Sequence, residues 1–309
     1  MPTGSAPIRR GYADASDLHA LLQFASRSLA ERSPLGATWH PGDIAWELRG
    51  DYDSKQPIRF WEWDGAVQAV AWFVGPSQLW LEATPAGEAL VADALDWAEE
   101  SLRRHAGAGQ ARALWVRAFH GDLRRVQQLE RLGFVQAGPE AVQFEFDLAG
   151  EPPRLELPAG FCVQDCVDVD VEKRAASHRD AWNDLAHIGI ANASSSFSAA
   201  IYESVRNSPA YRPTLDLVVA APDGALVASC ICWADERSGI GIFEPMGTHP
   251  EFRGRRLARA LLAEGLRRLK TSGHTRARIG TAPFNTSAIA AYSSVFRLSD
   301  RSSWWSKEL

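Results

Sequence analysis

The chain has 309 residues, 46% hydrophobic and 23% charged, a globular composition with enough length for two cores. A formal net charge of −5 removes the electrostatic case for a nucleic-acid partner, which needs a concentrated basic face against phosphate. No apolar run is long enough to span a bilayer, and the polar, then basic stretch at 1–11 has no apolar segment behind it. A cytoplasmic protein with no membrane partner is therefore expected.

In the first half, apolar runs at 60–63 and 67–74 flank Asp64-Gly65 and predict a β-hairpin. A strand over 79–83, an apolar-periodic helix over 89–104 and a strand over 112–118 follow. A further helix runs from Asp122 to Leu132-Gly133-Phe134. Gly150, Pro152, Pro153 and Pro158 then break every period. Beyond them the same order returns. Runs at 217–221 and 226–233 surround Asp223-Gly224, and a strand over 241–248, a helix over 257–270, a strand over 275–281 and a helix ending near Val295-Phe296 follow. Equivalent features lie about 160 residues apart, the spacing of a duplicated domain rather than a solenoid repeat. The expected fold is α+β, with domains at 1–149 and 161–309 joined by a linker over 150–160. Each would be a mixed central β-sheet flanked by helices, the helical crossover letting its two strands run parallel.

Cysteines stand at 162, 166, 230 and 232, with no histidine beside them at ligand spacing. Cys230 and Cys232 share one face of a strand. Buried, inert thiols and no metal site are expected.

The stretch from Glu244 to Leu262 carries most of the chemistry. A strand ends, a Gly- and Arg-rich turn follows, and a helix opens at about Leu257. Arg253, Gly254, Arg255 and Arg256 then cluster at a helix N-terminus. Unpaired N–H groups and the positive dipole end make that turn an anion site, with a pyrophosphate as the natural ligand. A solvated loop would explain a Gly-Arg turn standing alone. Asn285 suits the N-cap of the next helix, and Tyr292, two turns on, shares its face, with Ala288 keeping that face low enough for a ligand.

These residues resemble the coenzyme A motifs of the GNAT superfamily: Arg253, Arg256 at the usual glycine, and Ala258, then Asn285, Tyr292 and Phe296 downstream. Two departures stand out. Arg256 replaces a glycine, and the glycine expected before Phe296 is missing. In the first half only the Leu132-Gly133-Phe134 ending resembles the second motif, and 83–88 shows no phosphate turn. The layout is similar to the tandem pairs of mycothiol synthases, with a degenerate first copy and a working second copy.

The resemblance implies an acyl-CoA cosubstrate, with acetyl-CoA expected, and no metal. Met246, Gly247 and Thr248 would bond the pantetheine through their backbone. Arg253, Gly254, Arg255, Arg256, Leu257, Ala258, Asn285 and Ala288 would complete the cofactor site. Tyr292 would protonate the departing thiolate, and Glu244 would be the base, with His249 a weaker candidate. Strand parity places Glu244, Met246 and Thr248 on one face unless a bulge intervenes.

His178 and Trp182, one helical turn apart, either line an acceptor pocket or pack into the core. Of the tryptophans at 39, 46, 61, 63, 72, 80, 97 and 115, most must be core, and some could shape a substrate cleft, with Trp39 and His40 as the representative pair. The expected activity is N-acyl transfer to the amine of a small molecule. The alternatives are a non-catalytic acyl-CoA-binding protein and an enzyme acting on a peptide or protein terminus. A monomer or homodimer is expected.

Overall fold

The computed structural model describes residues 6–32, 39–50, 57–105, 113–154 and 156–309. The chain opens with β1 (Ile8–Gly11), α1 (Ala15–Arg32), α2 (Pro41–Glu47), β2 (Ile58–Trp63), β3 (Ala66–Phe73) and β4 (Gln78–Ala83). A short 3-10 turn (Pro85–Leu90) leads into α3 (Val91–His105), β5 (Ala113–Phe119), α4 (Leu123–Arg131) and β6 (Val135–Asp147). The second half holds β7 (Cys162–Asp165), α5 (Val171–Trp182), α6 (Ala199–Arg206), β8 (Asp216–Ala220), β9 (Leu226–Asp235) and β10 (Ile240–Thr248). It ends with α7 (Leu257–Thr271), β11 (Arg276–Thr281), α8 (Thr286–Ser293) and β12 (Arg297–Glu308).

Both hairpins form where Asp-Gly predicts them. Asp64 and Gly65 sit at φ 51° and 72°, the paired left-handed residues that match a turn to the twist of its flanking strands. Each half then builds the same crossover. β4 and β5 pair in parallel across α3, and β10 and β11 pair in parallel across α7. The other registered pairs of β1 to β5 and of β7 to β10 are antiparallel. This is the α+β, mixed-sheet architecture expected from the sequence, twice over.

The compact units interleave along the chain instead of dividing at the expected linker over 150–160. One comprises Met1–His40, Asp53–Val142 and Asp300–Leu309; the other comprises Pro41–Tyr52 and Gln143–Ser299. Two strands cause this. The first unit runs β1-β2-β3-β4-β5-β12-β6, and β12 lies antiparallel to β5, with Ser302 opposite Phe119 and Glu308 opposite Ala113. In the second unit, the end of β6 flanks β11, followed by β10, β9, β8 and β7. Each unit is thus closed by a strand from the other half of the sequence.

In the first unit, Trp61, Leu79, Leu114, Val116, Leu129 and Trp305 share one core. In the second, α2 packs Ala45 and Trp46 into a core with Tyr202, Ile231 and Trp233. α2 lies so close to β9 that a Cβ on Gly42 would stand 2.2 Å from the Trp233 ring, so only glycine fits there. Ile44 on the same helix is fully buried, worth about 1.5–3 kcal/mol. This packing draws a segment of the first half into the second unit.

Cys166, Cys230 and Cys232 are buried free thiols, but Cys162 is exposed, contrary to the expectation for all four, because it lies on the edge strand β7. Among the described residues, no helix is long and apolar enough to cross a membrane.

Candidate active site

The site lies in the second unit, where β10 and β11 part. Their parallel register runs from Ile240 opposite Arg276 to Ile242 opposite Arg278 and stops there, although β10 continues to Thr248 and β11 to Thr281. On its other edge β10 stays paired with β9, with Met246 opposite Cys230, Gly247 opposite Ser229 and Thr248 opposite Ala228. The parted edge therefore offers backbone groups at Met246, Gly247 and Thr248, which suits an extended amide chain.

Between Phe243 and Met246 the register shifts in a bulge, and the Trp233 indole N–H donates to the Glu244 carbonyl. Simple alternation over Glu244, Met246 and Thr248 therefore fails, because the bulge re-aims Glu244. Gly247 packs flat against α5: a Cβ there would meet the Trp182 ring at 2.0 Å.

At the far end of β10 the chain turns into α7. Gly254 has φ 77°, Arg256 has φ 64° and ψ 16°, and no side chain caps the helix. Arg256 thus holds a left-handed conformation that a glycine would adopt freely. The α7 N-terminus can still take an anion through its backbone. Its neighbours differ from the sequence reading in one respect. Arg253 turns back onto the chain, donating through Nη2 to the carbonyls of Ala181 (3.2 Å) and Asp184 (2.7 Å) and through Nε to that of Thr248 (3.3 Å). Its Nη1 also lies 3.0 Å from the His187 ring. Arg253 thus anchors the segment after α5, while Arg255 and Arg256 stand exposed at the turn.

Asn285 caps α8 as expected, its Oδ1 accepting from the Ala288 N–H at 3.1 Å. Tyr292 is buried against Phe144, with ring centroids 6.1 Å apart. Burial, then the charges of Glu244 and Cys230, push its phenol well above the ordinary value of 10, so it stays protonated. The missing glycine also has a structural counterpart. α4 ends on Gly133 at φ 84°, with the Phe134 N–H reaching the Leu129 carbonyl. α8 instead ends on Ser294 in right-handed conformation, with the Phe296 N–H reaching back to Tyr292. Phe134 and Phe296 are both buried, so the end of α8 lacks the left-handed residue but keeps a buried phenylalanine.

The equivalent place in the first unit is filled. Asp122 caps α4 as Asn285 caps α8, and three residues on, Arg125 stands where Ala288 does. The buried Arg125 donates to the Leu81 carbonyl of β4 at 3.1 Å, and Arg32 donates to that of Ala83 at 2.7 Å. Glu88 pairs with Arg32. Thr84 caps the 3-10 turn at Pro85–Leu90. Arginines thus occupy the strand edge that the second unit leaves open.

Beside Glu244, a cavity of about 460 Å³ is lined by Trp46, Arg49, His178, Trp182, Phe197 and Glu244, among others. His178 stacks on Trp182 (centroids 4.5 Å, interplanar angle 17°) and lies 4.3 Å from Phe197. Burial, with Arg174 and Arg49 nearby, lowers His178 to about 3 and keeps it neutral. Burial above all, then the charges of Asp43 and Glu47, raises the Glu244 carboxyl to about 8, against the opposing pull of Arg49. His178, itself buried, and Trp182 thus both line the cavity while packing against each other. Trp39 does not: it is 2% exposed and packs edge-on against Phe24 and Trp72 in the first unit. The first-half tryptophan at the cavity is Trp46, which carries no distinguishing mark in the sequence. His249 caps the short 3-10 turn at Pro250–Phe252 through its ring.

Residues 182–296 match the Acetyltransferase (GNAT) family. A search of curated proteins finds no sequence match. Among solved structures, a tandem GNAT protein from the clavulanic acid biosynthesis pathway, described as without AcCoA, aligns with a TM-score of 0.65 at 14% identity, over 98% of each chain. A GCN5-related N-acetyltransferase from Sphaerobacter thermophilus aligns with a TM-score of 0.57 at 20% identity, over 98% of this chain and 95% of that one. A GNAT-family acetyltransferase from Colwellia psychrerythraea aligns with a TM-score of 0.58 at 13% identity, over 97% and 100%. At these identities the likeness is one of fold.

Proposed function

We propose, from the GNAT-family domain that the chain carries over residues 182–296, that the protein is an acyl-CoA-dependent N-acyltransferase acting on the amine of a small molecule. The observation that carries this reading is Glu244, a carboxyl raised to about 8 at the bulge of β10, between the parted strand edge and an aromatic cavity. A base poised near the operating pH can accept a proton from an ammonium group and release it again.

Acyl-CoA supplies the thioester. Its pantetheine suits the edge at Met246, Gly247 and Thr248, and its pyrophosphate suits the backbone turn at Gly254, Arg255, Arg256, Leu257 and Ala258. Ala288 leaves the groove low, and Asn285 starts the helix that forms its wall. The amine enters from the cavity and loses a proton to Glu244. Its nitrogen bonds to the acyl carbon as the carbon–sulfur bond breaks. Tyr292 gives its proton to the leaving sulfur and recovers one from the newly acylated nitrogen, so the thiol leaves neutral while Glu244 passes the first proton to solvent. The left-handed turn at Arg256 favours a working site over the non-catalytic alternative, because it keeps the backbone shape that a phosphate needs.

The test is calorimetric titration with acetyl-CoA followed by thiol-release assays over an amine panel from pH 6 to 9. Acetyl-CoA should bind, and kcat/KM should rise with pH toward a plateau above about 8, since Glu244 works only when deprotonated. Failure to bind any acyl-CoA would refute the reading.

A further inference from the structure

The cavity beside Glu244 contains a cation, Arg49, that takes no proton and forms no bond in the proposed transfer. Arg49 follows α2 and lies over the face of Trp46, its guanidinium carbon 4.0 Å from the ring centroid. One nitrogen, Nη1, donates to the Trp46 carbonyl. Among the described residues no ion pair to Arg49 is present; burial acts against its charge, and Glu47 and then Glu244 support it only through space. Guanidinium groups taken out of water are normally matched by a carboxylate or phosphate, to which the planar fork donates two parallel bonds. Here the remaining donors belong to a side chain that lines the cavity.

The other walls narrow the choice of anion. Trp46, Trp182, Phe197 and the neutral ring of His178 form flat apolar surfaces, and the two rings nearest each other stand 4.3 Å apart. A phosphate would bring two charges and a thick hydration shell into these walls, whereas a carboxylate brings one and a flat geometry. Glu244 faces the same space and handles the amine. Glu47, exposed at the end of α2, also lines the cavity.

We infer that the acceptor is a zwitterion of amino-acid type with an aromatic side chain: its carboxylate pairs with Arg49, its ring stacks among Trp46, Trp182 and Phe197, and its amine meets Glu244. This deepens the acyltransferase reading and takes from it the assignment of the cavity as the acceptor site.

The experiment compares L-phenylalanine and L-tryptophan with phenethylamine and tryptamine, their counterparts lacking the carboxylate. Binding is read by calorimetry without acyl-CoA, and turnover by thiol release from acetyl-CoA, for the wild type, Arg49→Met and Arg49→Lys. Met keeps the packing on Trp46, and Lys restores the charge without the fork. The wild type should prefer the amino acids roughly 10–100-fold, the worth of one charge-assisted pair. Arg49→Met should bring that ratio near one, and Arg49→Lys should recover part of it. A wild-type preference for the amines, an equal loss for both classes in Arg49→Met, or no binding of any of the four compounds would overturn the inference. If acetyl-CoA binds and tryptamine is acetylated while the amino acids are refused, the acyltransferase reading stands and the acceptor class falls. If the amino acids bind through Arg49 while acetyl-CoA does not bind, the reverse holds.

Discussion

Replacing Glu244 with glutamine should make the protein more stable and less active at once, and the gain in stability should depend on pH. The carboxyl titrates near 8 in the folded chain against an ordinary value of 4.5. A raised carboxyl binds its proton more tightly folded than unfolded, so stability falls as pH rises from the unfolded value toward the folded one, then levels off. Across that window each pH unit removes about 1.4 kcal/mol, which gives a destabilisation below about 1 kcal/mol at pH 5, about 3 kcal/mol at pH 7 and approaching about 5 kcal/mol above pH 8. Glutamine has the same shape and no charge to bury, so Glu244→Gln should recover most of that difference. Urea unfolding of both proteins at pH 5, 7 and 8.5 reads it directly, and thiol-release assays at the same pH values should show kcat/KM down by about 10²-fold or more, with the rise toward pH 8 flattened. A variant as stable as the wild type at every pH, or equally stabilised at all three, would refute the claim that Glu244 is held in a desolvated site.

Other substitutions probe the remaining parts. Ala288→Arg copies the first unit's Arg125 into the groove of the second, and should cost about 100-fold or more in acetyl-CoA affinity by calorimetry, with the thermal midpoint near that of the wild type; unchanged affinity would place the cofactor elsewhere. Tyr292→Phe should lower kcat by about 10²-fold and leave acetyl-CoA binding intact, and an unaffected kcat would remove Tyr292 from the chemistry. Arg256→Gly should raise stability by about 1 kcal/mol, because glycine adopts φ 64° freely and the pair with Glu156 that is lost is largely exposed; a lower urea midpoint would contradict this. Arg174→Met leaves Asp216 buried without its 2.9 Å ion pair, facing the hydroxyls of Tyr202 and Tyr211, and should cost about 3–5 kcal/mol in urea unfolding.

Local signals in the sequence carried the repeated part of the fold. The Asp-Gly turns, the apolar periods of α3 and α7 and the capping residues Asp122 and Asn285 each act within a few residues, so they can be read without knowing the fold. The strand exchange could not be read that way. β12 buries Ser302, Ser303 and Trp305, a pattern with little apolar alternation, and its partner strand lies almost two hundred residues earlier in the chain. In the candidate site, the motif located the turn, the strand edge and α8, but the partners of a long side chain are chosen by tertiary packing. Arg253 accordingly looks like a phosphate donor in the sequence, whereas the fold turns it to Ala181 and Asp184. Trp46 and Arg49 carry no local mark of a pocket, since it is tertiary packing, of Gly42 on Trp233 and of Ala45 and Trp46 in the core, that brings α2 there. The bulge that turns Glu244 is likewise invisible to a period of two.

The trading of β6 and β12 bears on how the chain is made. A ribosome delivers the protein from the N-terminus, and a self-contained leading domain can fold while the rest is still being synthesised. Here the first unit lacks the neighbour of β5 until residues 300–309 have emerged, so β5 waits with one edge open through the synthesis of the whole second half. A nascent chain stalled before residue 300 should therefore remain open to proteases and chaperones in a segment that is among the best protected in the finished molecule. Splitting the gene between 148 and 161 would give two fragments that each need the other to close their sheets, so they should be soluble only when produced together.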